Sequence, residues 1–347
     1  MKVRTNSPLF NPHGDRDWQA RRIIGGNSTR LIELNNVKYP WAVDLYRNMM
    51  QNFWIPEEVP LARDRKDYLR LPESHRQSVN LTLSFLIFLD SLQTVNLPNL
   101  AEYITAPEIS LCLTVQAFQE AVHSQSYAYL LDSIADTLLR DMVYNYWRQD
   151  AQLMQRNRLI TELYQQFLDH PGPENLLRAV IANCALEGIY FFSGFAVFYA
   201  LARSDRMMGT ASIIRYIQRD ELTHLVLFQH LYLGIVAENP GLVTQSLKAE
   251  LQSLLLEAAQ QEIAWGTRIS AGIVTGITDT SVRDFIRFLT NQRATALGWT
   301  PLFPEHIDSP YPWFDAFSHF NQQKTDFFEQ RVLNYAKSSS LDWDSIS

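Results

Sequence analysis

Along most of the chain the apolar positions recur every three or four residues, the period of a helix with one buried face, and almost nowhere alternate with the two-residue period of a strand. The pattern predicts helices over roughly 41–52, 75–95, 107–135, 138–168, 174–203, 207–237, 241–268 and 279–296. There is no Asn-Gly hairpin signal, and glycine totals only 13. Thr105-Ala-Pro-Glu108 reads as a capping box with proline in the first helical turn. Pro171 and Pro173 separate two helices, as do Pro240 and Gly241. From about residue 299 the periodicity fails: prolines 301, 304, 310 and 312 interrupt it, and the end, YAKSSSLDWDSIS, is polar with isolated aromatics. The expected organisation is all-α: an irregular arm over 1–40, one helical domain over 41–300, and an irregular segment with a flexible tail over 301–347.

Composition narrows the function classes. A net charge of −7 argues against a phosphate-backbone binder, so no nucleic-acid partner is expected. Cys112 and Cys184 both lie in apolar runs and form no disulfide framework, which suits a reducing cytoplasmic location. The first residues, MKVRTNSPLFNPHGDRDW, carry no apolar core of a signal peptide. The apolar stretch 179–202 is long enough to span a bilayer, but Glu187 lies near its middle with Asn183 one turn before. It reads as the only segment of its kind and as a buried helix, with no membrane partner.

Four carboxylates break the apolar pattern. Asp90 ends LSFLIFLD, Glu120 follows LCLTVQAFQ, Glu187 sits in the apolar helix above, and Glu221 lies within IIRYIQRDELTHLVLF. A buried, unpaired carboxylate is expensive and would normally take up a proton, so four of them require a common counter-charge. His123 follows Glu120 by three residues, and His224 follows Glu221 by three, spacings that share one helical face. Chance gives roughly 0.4 Glu-x-x-His matches in a chain of this composition, so one copy alone would read as an exposed ion pair. The order decides the matter. Carboxylate, Glu-x-x-His, carboxylate, Glu-x-x-His, each on its own helix, is the ligand set of a four-helix bundle holding two metal ions. Hard divalent ions favour anionic oxygens that can bridge them, and one imidazole per ion completes the set. Two metal ions per chain are therefore expected, held by Asp90, Glu120, His123, Glu187, Glu221 and His224.

From about Asn52 to Phe328 the sequence resembles the small, radical-generating subunit of class I ribonucleotide reductase. The resemblance is carried by FWIPEEVPLARDRKDY (53–68), LDSLQ (89–93), EAVHSQSY (120–127), ALEGIYFF (185–192) and MMGTASIIRYIQRDELTH (207–224). It implies a ferritin-like four-helix bundle with additional helices and a dimetal-carboxylate site inside. It implies that Tyr127 is the radical tyrosine, that Trp54 relays an electron toward the metals, and that Asp220 links Trp54 to His123. Phe191, Phe195 and Ile217 would form the apolar wall around the radical. The family uses di-iron, dimanganese or manganese–iron centres. Asp90 together with Tyr127 leans toward a tyrosyl-radical, di-iron form, while LGWTPLFP (297–304) is similar to the manganese-using branch, so the subclass stays open. The resemblance further implies a homodimer that docks its C-terminal tail on a large catalytic subunit, with Tyr335 as relay in that tail. No phosphate-binding loop or catalytic cysteine pair is visible, so substrate would bind on that other subunit. The rival readings are a standalone dimetal oxidase or oxygenase and a non-catalytic iron-storage protein of the same fold.

Overall fold

The computed structural model describes residues 8–305 and 308–314. Among them there is no strand. Eleven α-helices follow one another: α1 (Pro40–Gln51), α2 (Ala62–Arg70), α3 (Glu73–Ala101), α4 (Pro107–Ile134), α5 (Thr137–Gln149), α6 (Ala151–Asp169), α7 (Pro173–Ala185), α8 (Phe192–Arg203), α9 (Met208–Glu238), α10 (Gln245–Ser270) and α11 (Asp279–Ala296). A π-helical turn, Leu186–Tyr190, joins α7 to α8, and short 3₁₀ turns occupy Trp18–Ala20 and Pro56–Glu58. The helices of the four predicted carboxylates form the centre. α3 lies along α4, the α7–α8 rod packs on α9, and α4 and α8 tie the two pairs together by packing on α9 and α3 respectively. Around them, α1 and α2 cover α4 and α9, α5 and α6 cover α3 and α7, and α10 and α11 cover the α7–α8 rod.

Local chemistry explains where the helices begin. Pro40, Pro107 and Pro173 stand in first turns, where a missing N–H costs nothing. Asp136, Asp150, Thr244 and Thr278 accept backbone N–H groups at the starts of α5, α6, α10 and α11, and Thr278 with Ser281 makes a reciprocal capping box. The helix expected over 138–168 is two helices because the Asp150 carboxylate takes the Gln152 and Leu153 amides and starts α6 afresh. The 174–203 helix is interrupted by the π turn at Glu187. The capping box expected at Thr105 does not form. Ala106 precedes α4 with no side-chain cap. Thr105 Oγ1 instead donates to the Arg22 carbonyl at 2.7 Å, and Glu108 accepts the Lys38 amide at 3.1 Å and pairs with Arg21. Both side chains are recruited by the N-terminal arm, which local sequence could not reveal.

Helix α2, absent from the periodicity reading, holds the start of α9. Asp64 accepts from the Gly209 and Thr210 amides at 3.1 and 2.6 Å, and Asp67 from the Met207 amide at 3.1 Å. Two carboxylates thereby meet the positive end of the longest helix. Met207 itself is left-handed, with φ 52°. A Cβ at Gly209 would lie 2.6 Å from the Pro60 carbonyl oxygen, so only glycine allows α9 to approach this closely.

Among the described residues two helical rods, not one, are long and apolar enough to cross a membrane: Glu73–Ala101 and Pro173–Arg203. They are 72% and 100% buried over their most apolar windows, as core helices are. The expectation of a single such segment missed α3 because polar residues punctuate its apolar run. The expected flexible tail, with Tyr335, lies outside the described residues.

Candidate metal centre

The four central helices bring all six predicted ligands to one place, and each is fully buried. Asp90 comes from α3, Glu120 and His123 from α4, Glu187 from the π turn, and Glu221 and His224 from α9. Their ligand atoms fall into two groups, each within 4.8 Å: Asp90, Glu120, His123 and Glu221 in one, and Glu120, Glu187, Glu221 and His224 in the other. Glu120 and Glu221 belong to both. Glu120 turns Oε2 toward His123 Nδ1 (3.4 Å) and Oε1 toward His224 Nδ1 (3.3 Å). Glu221 turns Oε1 toward His123 Nδ1 (3.1 Å) and Oε2 toward His224 Nδ1 (3.3 Å). Each glutamate thus offers one oxygen to either side, the arrangement of a carboxylate that bridges two cations.

Both imidazoles direct Nδ1 inward, and their outer nitrogens are held by side chains. His224 Nε2 donates to Gln119 Oε1 at 3.0 Å, and Gln119 in turn donates to the Met49 carbonyl. His123 Nε2 faces Asp220 Oδ2 at 3.4 Å. A proton held on Nε2 leaves the Nδ1 lone pair for a cation. Glu187 is held by amides: Gln93, Gln116 and Asn183 donate to its Oε1 at 2.6, 2.7 and 3.2 Å, which leaves Oε2 without a partner. Both oxygens of Asp90 and Glu120, Oε1 of Glu221 and Nδ1 of His123 are likewise buried without a hydrogen bond. So many orphaned acceptors in one dry cluster suit a metal site, because a buried protein atom is rarely left unpaired otherwise.

Charge says the same. Four carboxylates face two imidazoles, and two divalent ions with neutral imidazoles would balance the cluster. Without them, burial first, and then the negative charges of Glu120 and Glu221, push Asp90 well above the usual carboxylate range. Burial likewise raises Glu187, with Glu221 and Glu120 adding to it against His224. Burial opposes ionisation of Glu120 too, but its contacts with His123 and His224 outweigh that and hold it at about 2. Burial disfavours a charged imidazole, yet the surrounding carboxylates raise His123 well above its ordinary value and lift His224 to about 10. The two histidines serve as stand-in cations for a donor set with too much negative charge.

Of the other predicted residues, Trp54, Asp220 and Tyr127 are described, and Tyr335 lies outside the described residues. Trp54 Nε1 donates to Asp220 Oδ2 at 2.9 Å, so Trp54, Asp220 and His123 form a continuous line from near the surface to the cluster. Arg219 donates to Asp220 Oδ1 at 3.1 Å, satisfying its second oxygen. Tyr127 is fully buried. Burial chiefly, and then the charge of neighbouring Asp90, raises its phenol well above the ordinary value. Phe191, Phe195 and Ile217 are fully buried, with the two phenyl rings 5.9 Å apart. Sequence reasoning missed Gln93, Gln116, Gln119 and Asn183, which orient the ligands, and Tyr216, whose ring stacks on Trp54 at 5.2 Å. The available signal was amides one turn or less from a predicted ligand inside apolar helices.

Comparisons with known proteins agree with this geometry. Residues 31–310 match the family model described as "Ribonucleotide reductase, small chain". The chain is 46% identical over 335 residues to the ribonucleoside-diphosphate reductase subunit beta of Treponema pallidum, covering 96% of this chain and 95% of that protein. It is 36% identical over 318 residues to the subunit of the same name from Halalkalibacterium halodurans, covering 92% of each. Among solved structures it is similar to the ribonucleotide reductase R2 subunit from Clostridium botulinum, with a TM-score of 0.87 and 43% identity over 90% of this chain and 98% of that one. A dimanganese(II) NrdF from Streptococcus sanguinis shares the fold, with a TM-score of 0.74, 22% identity, and coverage of 83% of this chain and 99% of that one.

The raised histidines set a pH dependence. Below about 10 the His224 ring is protonated in the metal-free protein, and a cation at Nδ1 must displace a proton. Raising the pH removes that competition, so manganese(II) affinity is expected to rise with pH toward 10. Calorimetry of manganese(II) binding at one pH, in buffers of different ionisation enthalpy, is expected to show net proton release. Heats independent of the buffer would contradict it.

Proposed function

The chain belongs to the ribonucleotide reductase small-chain family, and from that premise we propose that its buried cluster holds two metal ions and generates a tyrosyl radical on Tyr127. The function of a small subunit of ribonucleoside-diphosphate reductase is supported over the lone-oxygenase and iron-storage readings. The observation that carries the metal assignment is the doubled sharing of Glu120 and Glu221, each with one oxygen toward either histidine. Asp90 and His123 complete one position, Glu187 and His224 the other. Bound there, two iron ions, or manganese in their place, supply dioxygen activation and one-electron oxidation.

The protein residues do the rest in this proposal. Tyr127 gives up one electron and its hydroxyl proton, and Asp90 is the carboxylate whose charge bears most on that phenol. The dry surroundings keep water and reductants from the oxidised ring. Trp54, hydrogen-bonded through Asp220 toward His123, passes electrons between the surface and the cluster. The radical equivalent is handed to a large catalytic subunit that reduces ribonucleotides. The C-terminal tail docks there, and Tyr335 serves as the relay. We further assign a cytoplasmic homodimer, the assembly that the family resemblance implies.

Four measurements test these assignments. His123→Ala and His224→Ala are each expected to keep the helical circular dichroism but to lower metal content per chain after loading. Full occupancy in both would overturn the ligand set. After aerobic loading with iron(II), electron paramagnetic resonance is expected to show a tyrosyl signal that is absent in Tyr127→Phe. A signal unchanged by that substitution would place the radical elsewhere. Deleting residues 336–347 is expected to abolish binding to the large subunit while leaving metal content and radical intact. Tyr335→Phe should bind normally yet fail to support turnover, and wild-type turnover in that variant would remove the relay role.

A further inference from the structure

We propose that Arg156, Glu262 and Arg293 are positioning residues for Glu187, acting by fixing the π-helical turn that carries it. The proposal rests on the reading of Glu187 as a metal ligand. A π turn is a local widening of a helix that displaces backbone groups from their regular partners, and it persists only where the surroundings hold it. Here the surroundings are charged side chains in an otherwise apolar core. Arg293 Nε donates to the Gly188 carbonyl at 3.2 Å, one residue after Glu187. Arg156 Nη2 donates to the Tyr190 carbonyl, the last of the turn, also at 3.2 Å. Glu262 pairs with Arg156 and accepts the Ser193 amide at 3.2 Å, just inside α8.

The cost of this arrangement shows that packing alone does not explain it. Arg156 and Glu262 are both fully buried, and removing two charges from water costs several kcal/mol per ion before their attraction is counted. Apolar side chains of similar volume would fill the space at lower cost. What they could not supply is directional donors and an acceptor on successive groups of the turn. The site is shaped for them. The Arg156 guanidinium lies over the rings of Phe85, Tyr190 and Trp265 at 3.7, 4.5 and 4.9 Å, which fixes its plane. A Cβ at Gly188 would come within 3.3 Å of Arg293 Cγ and Nε and 3.1 Å of Leu225, so glycine at that position lets Arg293 reach the turn. The Glu187 side chain is meanwhile gripped by Gln93, Gln116 and Asn183 from other parts of the bundle. Its backbone and its carboxylate are thus set by separate groups. The effect of the three charged residues should fall on the position shared by Glu187 and His224, and leave the Asp90–His123 position unaffected.

The test is anaerobic iron(II) titration of the full-length protein, with metal content and thermal unfolding measured on the same samples. Three variants are compared: the double substitution Arg156→Met with Glu262→Met, which leaves no lone buried charge; Arg293→Lys, which keeps the charge but not the Nε donor; and Glu187→Ala. The first two are expected to fold, to bind one iron(II) as the wild type does, and to bind the second roughly 10–100-fold more weakly, the usual effect of removing a group that orients a ligand. If the double variant does not fold, Arg293→Lys alone carries the test. Two wild-type affinities in a folded variant would overturn the proposal. So would equal weakening of both sites in step with a lowered melting temperature, the signature of a merely structural role. Wild-type binding of both ions by Glu187→Ala would instead refute Glu187 as a ligand, which separates failure of that reading from failure of this one.

Discussion

The constraint on which the structure depends is the concentration of four carboxylates in a water-free bundle with only two imidazoles beside them. In water such groups would sit apart and hydrated. Here four long helices converge so that the carboxylates lose their hydration and face one another and two histidines. The opposite shifts of Glu120 and Asp90 record the imbalance: one is held ionised by both histidines, the other pushed toward its neutral form. Two divalent cations would remove it, so the charge of the bundle fits a dimetal content.

Keeping such a cluster in shape requires that the helices themselves cannot slide. The molecule achieves this with polar groups at element boundaries. Asp64 and Asp67 on α2 hold the N-terminus of α9, eleven to fourteen residues before Glu221. Thr105 and Glu108, freed from capping α4, tie the N-terminal arm to it. Amide side chains then refine what the helices place: Gln119 orients His224, and three amides orient Glu187. The same economy serves the line from Trp54 to His123, where one aspartate carries both hydrogen bonds on a single oxygen, with Arg219 on the other.

The sequence by itself determined the helical class, the six clustered carboxylate and histidine residues and the family, because each leaves a local mark. A helix shows its period, a carboxylate in an apolar run announces a charge without a visible partner, and Glu-x-x-His places two ligands on one face regardless of what surrounds it. The roles of Tyr127, Trp54 and Asp220 followed from the resemblance; Tyr127 is fully buried, and Trp54 Nε1 donates to Asp220 Oδ2 at 2.9 Å. Only the tertiary structure decided the rest, because those features arise between residues far apart in the chain. Nothing local tells Thr105 to bond Arg22 rather than cap its own helix. The π turn at Glu187 depends on Arg156, Glu262 and Arg293, the last more than a hundred residues away. Which glutamate oxygen faces which histidine, and hence that Glu120 and Glu221 are the shared pair, is set by how four helices cross, a relation that no single segment encodes.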